Sequence, residues 1–333
     1  MAEIAIPHPR DSRGLMGHEA AEAAFEASRE AGRLHHAWLL TGPEGVGKAS
    51  FAYRAARRLL GATPDPSDGQ LGSDPDHPVT RQVAARSHPD LMVLEKLGED
   101  GKARRLIPVD EARQLPEFFA KSPASAPYRV AIVDAADDLN VNAANALLKT
   151  LEEPPSRGVL LLVSHAPGRL FATIRSRCRR LAFAPLEEPR VAEFVRARAG
   201  VDVEQSLRLA RMSGGAPGRA LTLSQTQALA MDDAARDLLG DLPRMDEAAA
   251  LSLADRFRGT EGAAQFALLF DRLSARVHDL ARTRAADGAG ALDRWAQAWE
   301  TLQRLPREVE GLNLDRADAF FSALSELRAA ARD

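Results

Sequence analysis

Ala37-Trp38-Leu39-Leu40-Thr41-Gly42-Pro43-Glu44-Gly45-Val46-Gly47-Lys48 carries an apolar run, Ala37 to Leu40, through a glycine-rich turn to a segment with helical spacing, Ala49 to Leu60. Strand, turn and helix in that order form a unit that can hold phosphate. The glycines let backbone N–H groups converge on an anion, the helix N-terminus adds its dipole, and a lysine supplies a point charge. Gly42, Gly45, Gly47 and Lys48 are therefore the candidate nucleotide-binding residues. A bland glycine turn gives no reason for Gly-Lys at a helix start.

The next position departs from that pattern. A serine or threonine after the lysine would offer its hydroxyl to Mg²⁺, but Ala49 presents a methyl group. The hydroxyl arrives one residue later, at Ser50, rotated by roughly 100° around the helix. Ser50 is thus a degenerate member of the candidate site.

Outward from this loop, apolar runs alternate with helical patterns, as parallel α/β units require. Glu19 to Ala31 and Ala49 to Leu60 read as helices, and Leu91 to Leu94 as a strand. Arg129 to Val133 and Val159 to Val163 are continuous apolar runs, the mark of strands buried on both faces. Residues 61–80, with Pro64, Pro66, Pro75 and Pro78, read as an exposed loop. Glu95 to Arg105 reads as a charged loop with Gly98 and Gly101. Asp110 is placed to cap a helix reaching about Lys121. From about Glu187 the strands stop, and a Gly-Gly-Ala-Pro-Gly turn at 214–218 separates two helices of a small domain. Beyond it, Phe266, Leu269, Phe270, Leu273, Val277 and Leu280 form one helical stripe; Trp295, Trp299 and Leu302 form a second. Phe320, Phe321, Leu324 and Leu327 make a third.

The strand at 129–133 ends in Asp134-Ala135-Ala136-Asp137. In an active ATPase of this layout the first Asp supports the metal, and a glutamate after it activates water. Ala135 can do neither acid nor base work. Asp137 lies about one turn beyond the strand tip. Losing a metal ligand and a base together argues that hydrolysis has been abandoned.

The totals fit a solvated protein of two or three domains: 333 residues, 45% apolar, 5% aromatic, formal charge −3. A nucleic-acid-binding module would carry a basic excess that this chain lacks. The single cysteine, Cys178, excludes an intramolecular disulfide and a multi-cysteine zinc site, and it reads as a small apolar residue. His35 and His36 are adjacent, so their side chains diverge, and no metal is expected there. Met1 to Gly14 has no signal-peptide core, and the longest aliphatic run is too short for a bilayer. The expected setting is cytoplasmic, without membrane contact.

Four further stretches carry a resemblance. Asn142-Ala143-Ala144-Asn145-Ala146-Leu147-Leu148-Lys149-Thr150-Leu151-Glu152-Glu153-Pro154-Pro155 resembles the signature of clamp-loader AAA+ subunits of bacterial DNA polymerase III. Thr173-Ile174-Arg175-Ser176-Arg177-Cys178 resembles the family's Ser-Arg-Cys motif. Leu34-His35-His36-Ala37-Trp38 and Ser87-His88-Pro89-Asp90 add to it, so the likeness spans roughly residues 15–220. It implies an α/β class fold: an AAA+ RecA-like parallel-sheet domain at 1–184, a small helical lid at 185–228, and a helical collar domain for oligomerisation at 229–333. It also implies that Arg177 is an arginine finger serving the ATP of a neighbouring subunit.

The implied assembly is a hetero-pentamer with delta and gamma or tau subunits, meeting the sliding clamp and primer-template DNA through the complex. Decayed nucleotide elements beside an intact Ser-Arg-Cys resemble the non-hydrolysing branch of the family. An ATP-hydrolysing gamma or tau subunit would need a hydroxyl at 49 and an acid at 135. The four-cysteine zinc module of many relatives has no counterpart in residues 61–80, so no zinc is expected. Where active relatives commonly carry a sensor asparagine, this chain has Ser164-His165; their sensor arginine falls near Gly218, one step from Arg219. No cofactor is required on this reading, and binding of ATP or ADP is left open.

Overall fold

The computed structural model describes residues 6–96, 104, 106–242, 247–286 and 292–332. Gly98 and Gly101, with most of the charged loop read around them, lie outside the described residues. The chain forms two compact units, Met1–Arg198 with Ser213–Leu221, and Ala199–Met212 with Thr222–Asp333.

The first unit opens with α1 (Glu19–Glu30), β1 (Ala37–Thr41), α2 (Lys48–Leu59), α3 (Pro78–Ala84) and β2 (Leu91–Glu95). It continues through α4 (Val109–Ala112), α5 (Leu115–Ala120), β3 (Arg129–Asp134), α6 (Val141–Glu152) and β4 (Gly158–Ser164). After these come α7 (Ala172–Arg175), β5 (Arg179–Ala182) and α8 (Glu188–Ala199). The five strands form one sheet in the order β2-β3-β4-β1-β5, every neighbouring pair parallel. Side chains alternate between the faces, as the pleat requires. Trp38, Leu40, Val130, Ile132, Val159, Leu161 and Val163 join Phe25, Phe51 and Leu59 of α1 and α2. Leu39, Ala131, Val133, Leu160 and Leu162 join Leu115, Leu147, Leu151 and Ile174 on the other face.

Two local readings are corrected, and one strand is added. The helix expected from Asp110 begins at Val109, after Pro108, and breaks into α4 and α5. Pro116 sits in the first turn of α5, where its missing N–H costs nothing, and could not have continued the preceding helix. Residues 61–80 are not a wholly exposed loop. Leu71 is fully buried, Pro64 and Ser73 form an antiparallel bridge, and α3 starts at Pro78. The basic stretch after Cys178 supplies a fifth, edge strand.

Ser87-His88-Pro89-Asp90 has a packing role. Asp90 is fully buried and accepts the backbone N–H groups of Ala124, Ser125 and Ala126 at 2.8, 2.9 and 3.1 Å, with Arg129 Nε 3.3 Å away. Burial works to raise its pKa, but the three donors and the Arg129 charge outweigh it and hold the carboxyl below its ordinary value. Stability from a depressed carboxyl is present above the unfolded-state pKa and lost as pH falls through the folded value. Asp90→Ala should therefore cost about 2–4 kcal/mol at neutral pH, since it orphans buried N–H groups. Urea titrations of variant and parent should converge as the pH is lowered through that range.

The second unit contains α9 (Val203–Ser213) with α11 (Ala228–Gly240), α12 (Glu247–Asp255), α13 (Gly259–Ala286), α14 (Leu292–Leu312) and α15 (Arg316–Ala331); α10 (Pro217–Ser224) straddles the division. Its core unites Phe257, Phe266, Phe270, Trp295, Leu302, Phe320 and Leu327. Trp299 and Phe321, read as members of apolar stripes, are exposed at the helix surface. Asp232 on α11 meets Arg276 of α13 at 2.8 Å and Arg208 of α9 at 3.2 Å, which ties α9 into this unit.

Candidate functional site

The phosphate loop lies between β1 and α2, with Gly42, Gly45 and Gly47 all at positive φ. Glycine is required at two of these positions by contact as well. A Cβ on Gly42 would fall 2.3 Å from the Phe183 carbonyl oxygen, and one on Gly45 would fall 2.5 Å from the Arg219 backbone nitrogen. The Gly218 N–H donates to the Gly45 carbonyl at 2.8 Å, so the first turn of α10 is seated directly on the loop. His18 closes the other side. Its Nε2 lies 3.0 Å from the Val46 carbonyl, and its ring meets Phe183 edge-on at 4.8 Å.

Lys48 points into its own loop. Nζ donates to the carbonyls of Gly42 at 2.6 Å and Pro43 at 2.5 Å, and the side chain is buried. Burial lowers its pKa to about 8, partly opposed by the charges of Asp134, Glu44 and Asp137. Ala49 and Ser50 occupy the first turn of α2 behind it. Ala49 offers no hydroxyl to a metal, the Lys48 ammonium is bonded to two loop carbonyls, and the start of α10 rests on Gly45.

The end of β3 agrees. Asp134 is raised to about 6 by burial, with the neighbouring Glu95 charge adding to the effect. Ala135 is buried and offers no proton-transfer group. Asp137 is committed elsewhere. Its carboxylate accepts the Ser164 hydroxyl at 2.9 Å and the His165 backbone N–H at 2.5 Å, joining the ends of β3 and β4. Asp137 and the Ser164-His165 segment thus satisfy one another.

The four arginines around Cys178 separate into two pairs. The Arg179 guanidinium stacks 4.9 Å from the Trp38 ring centroid, and Arg180 Nε donates to the Thr41 hydroxyl at 3.0 Å. Both fasten β5 to β1. Arg175 and Arg177 lie at the end of α7 instead, where Arg175 Nη1 lies 3.4 Å from the Pro167 carbonyl. Arg177 Nη1 donates to the Thr173 carbonyl at 3.0 Å, and Nη2 meets Glu152 Oε1 at 3.1 Å. Glu152 is the last residue of α6, a helix capped by Asn140, whose side chain accepts the Ala143 N–H at 2.9 Å. Pro154 and Pro155 follow its end. Cys178 is a half-buried thiol pushed up to about 12 by desolvation, which suits packing and not nucleophilic work. Contrary to the expectation that adjacent side chains diverge, the His35 and His36 rings stack at 4.4 Å, with His35 Nδ1 2.8 Å from the Ala37 carbonyl. Spacing alone could not disclose the inward turn of Lys48, the partners of Asp137 or the pairing of Arg177 with Glu152.

A five-stranded parallel sheet in this order, with a phosphate loop after β1 and an acid at the end of β3, makes the first unit a phosphate-loop α/β domain. The sequence profile of the family described as DNA polymerase III, delta subunit, matches residues 17–187, and the chain belongs to that family. It is 40% identical over 184 residues to DNA polymerase III subunit delta' of Pseudomonas aeruginosa, covering 55% of this chain and 53% of that one. It is 34% identical over 201 residues to the delta' subunit of Escherichia coli, covering 60% and 57%. With a gamma/tau subunit of Mycobacterium bovis it shares 32% over 221 residues, covering 65% and 36%. The chain spans about half the length of the delta' relatives it matches. No helix among the described residues is long and apolar enough to cross a membrane.

Proposed function

We propose that the chain is a delta-prime-type clamp-loader subunit of DNA polymerase III, a structural AAA+ member that hydrolyses no ATP and lends Arg177 to a neighbour. One observation carries the reading. The metal-ligating and acid positions are Ala49 and Ala135, while Arg177 stands in the turn just after α7. A finger kept beside a decayed site makes sense only if it serves another subunit. A guanidinium placed against a γ-phosphate stabilises charge developing in the transition state and stays ionised throughout. The partners on this reading are delta and gamma or tau subunits in a five-membered ring, with the clamp and primer-template DNA met through the complex. Residues 229–333 would serve as the collar, 185–228 as the lid and 1–184 as the nucleotide-binding-like domain.

A gamma/tau-type ATPase is the second reading, supported by relatives of that name. Ala49 and Ala135 weigh against it. Turnover decides between them. The isolated chain should show no magnesium-dependent ATP hydrolysis above that of its Lys48→Ala variant. Hydrolysis that Lys48→Ala abolishes would establish the gamma/tau-type reading.

A further inference from the structure

The pairing of Arg177 with Glu152 is not explained by packing. The side chains are partly exposed, at 36% and 51%, and they come from different segments, the turn after α7 and the C-terminal end of α6. A carboxylate at a helix C-terminus meets the negative end of the dipole, and Glu153 follows it with a second negative charge. A nearby guanidinium relieves both. Arg177 is held on its other side by the Thr173 carbonyl, so its fork is fully oriented before any partner arrives.

We propose that Glu152 is a positioning residue that parks Arg177, and that an incoming γ-phosphate must take the guanidinium from it. The inference rests on the arginine-finger reading above. An exposed ion pair is weak, whereas a triphosphate presents several charges and a bidentate surface, so the exchange runs toward the nucleotide once it is in place. The pairing acts on the free state alone, because Arg177 has already left Glu152 when the bound nucleotide reacts. Glu152 therefore sets the nucleotide concentration at which the neighbouring site fires, and leaves the rate of the bound state unchanged.

The test uses the complex reconstituted with its partner subunits, any other ATP site being disabled at its phosphate-loop lysine. Glu152→Gln keeps the size and removes the charge. It should lower the KM for ATP about two- to five-fold, the range an exposed pair is worth, with kcat unchanged. Glu152→Asp, which keeps the charge on a shorter arm, should return part of the way. In an Arg177→Ala background, Glu152→Gln should do nothing. An unchanged KM in Glu152→Gln, while Arg177→Ala still lowers kcat, overturns the parking and leaves the finger standing. An equal drop in KM with and without Arg177 also overturns it, since Glu152 would then act directly. No effect of Arg177→Ala removes the finger itself, and the parking with it.

Discussion

Complexes assembled with Arg177→Ala in this chain should lose about two to three orders of magnitude in ATP turnover at the one site the residue serves. Arginine fingers contribute roughly 10³–10⁵ in GTPase systems. The pairing with Glu152 bears on KM and not on this loss, because Arg177 has already left it in the bound state. Total turnover should fall less, since other sites would keep their own fingers. Lysine at 177 should rescue poorly, for a point charge does not reproduce the planar fork. The control belongs at Arg175, which shares the end of α7. Arg179 is unsuitable because it stacks on Trp38, and its loss would loosen the β1–β5 edge. Folding and assembly should be intact in Arg177→Ala, as the residue makes only surface contacts. Unchanged DNA- and clamp-stimulated hydrolysis would reduce the Ser-Arg-Cys segment to a structural turn.

Much of this was readable from residue order alone. Three inner strands announced themselves as unbroken apolar runs because both faces of a parallel sheet are covered. The phosphate loop was legible because glycines at positive φ have few substitutes there. The edge strand β5 escaped notice for the opposite reason: Arg179 and Arg180 look like a solvated patch until Trp38 and Thr41 are seen beside them. Asp137 was judged too far along to replace the missing acid, but nothing in the spacing revealed that it holds the end of β4. Each of these misses is a tertiary contact between segments distant in sequence. Composition reports whether a residue prefers water, and says nothing about which partner will take it out of water.

The proline-rich stretch after α2 is the largest such miss, and it supports the strongest stability prediction. Arg54, on α2, is almost wholly buried, yet it carries a charge. Its Nε meets Glu22 of α1 at 2.8 Å, Nη1 meets Asp68 at 2.6 Å and the Arg13 carbonyl at 3.0 Å, and Nη2 bonds the Asp68 carbonyl. One guanidinium thus fastens the N-terminal segment, α1 and the stretch around residue 68 to the helix that follows the phosphate loop. Glu22 is nearly as buried and also lies 3.4 Å from the Leu71 N–H. Removing the cation alone leaves that carboxylate buried without its counter-ion, which typically costs about 3–5 kcal/mol. Arg54→Met fills the volume and so isolates the charge effect. It should lower stability by that amount in urea titration and expose residues 61–74 to limited proteolysis. Adding Glu22→Gln should recover a substantial part, because a neutral amide no longer demands a partner of opposite charge, and Asp68 can turn to water. If Arg54→Met costs less than about 1 kcal/mol, in the range of a surface pair, the network is ornamental and the stretch is held by Leu71 alone.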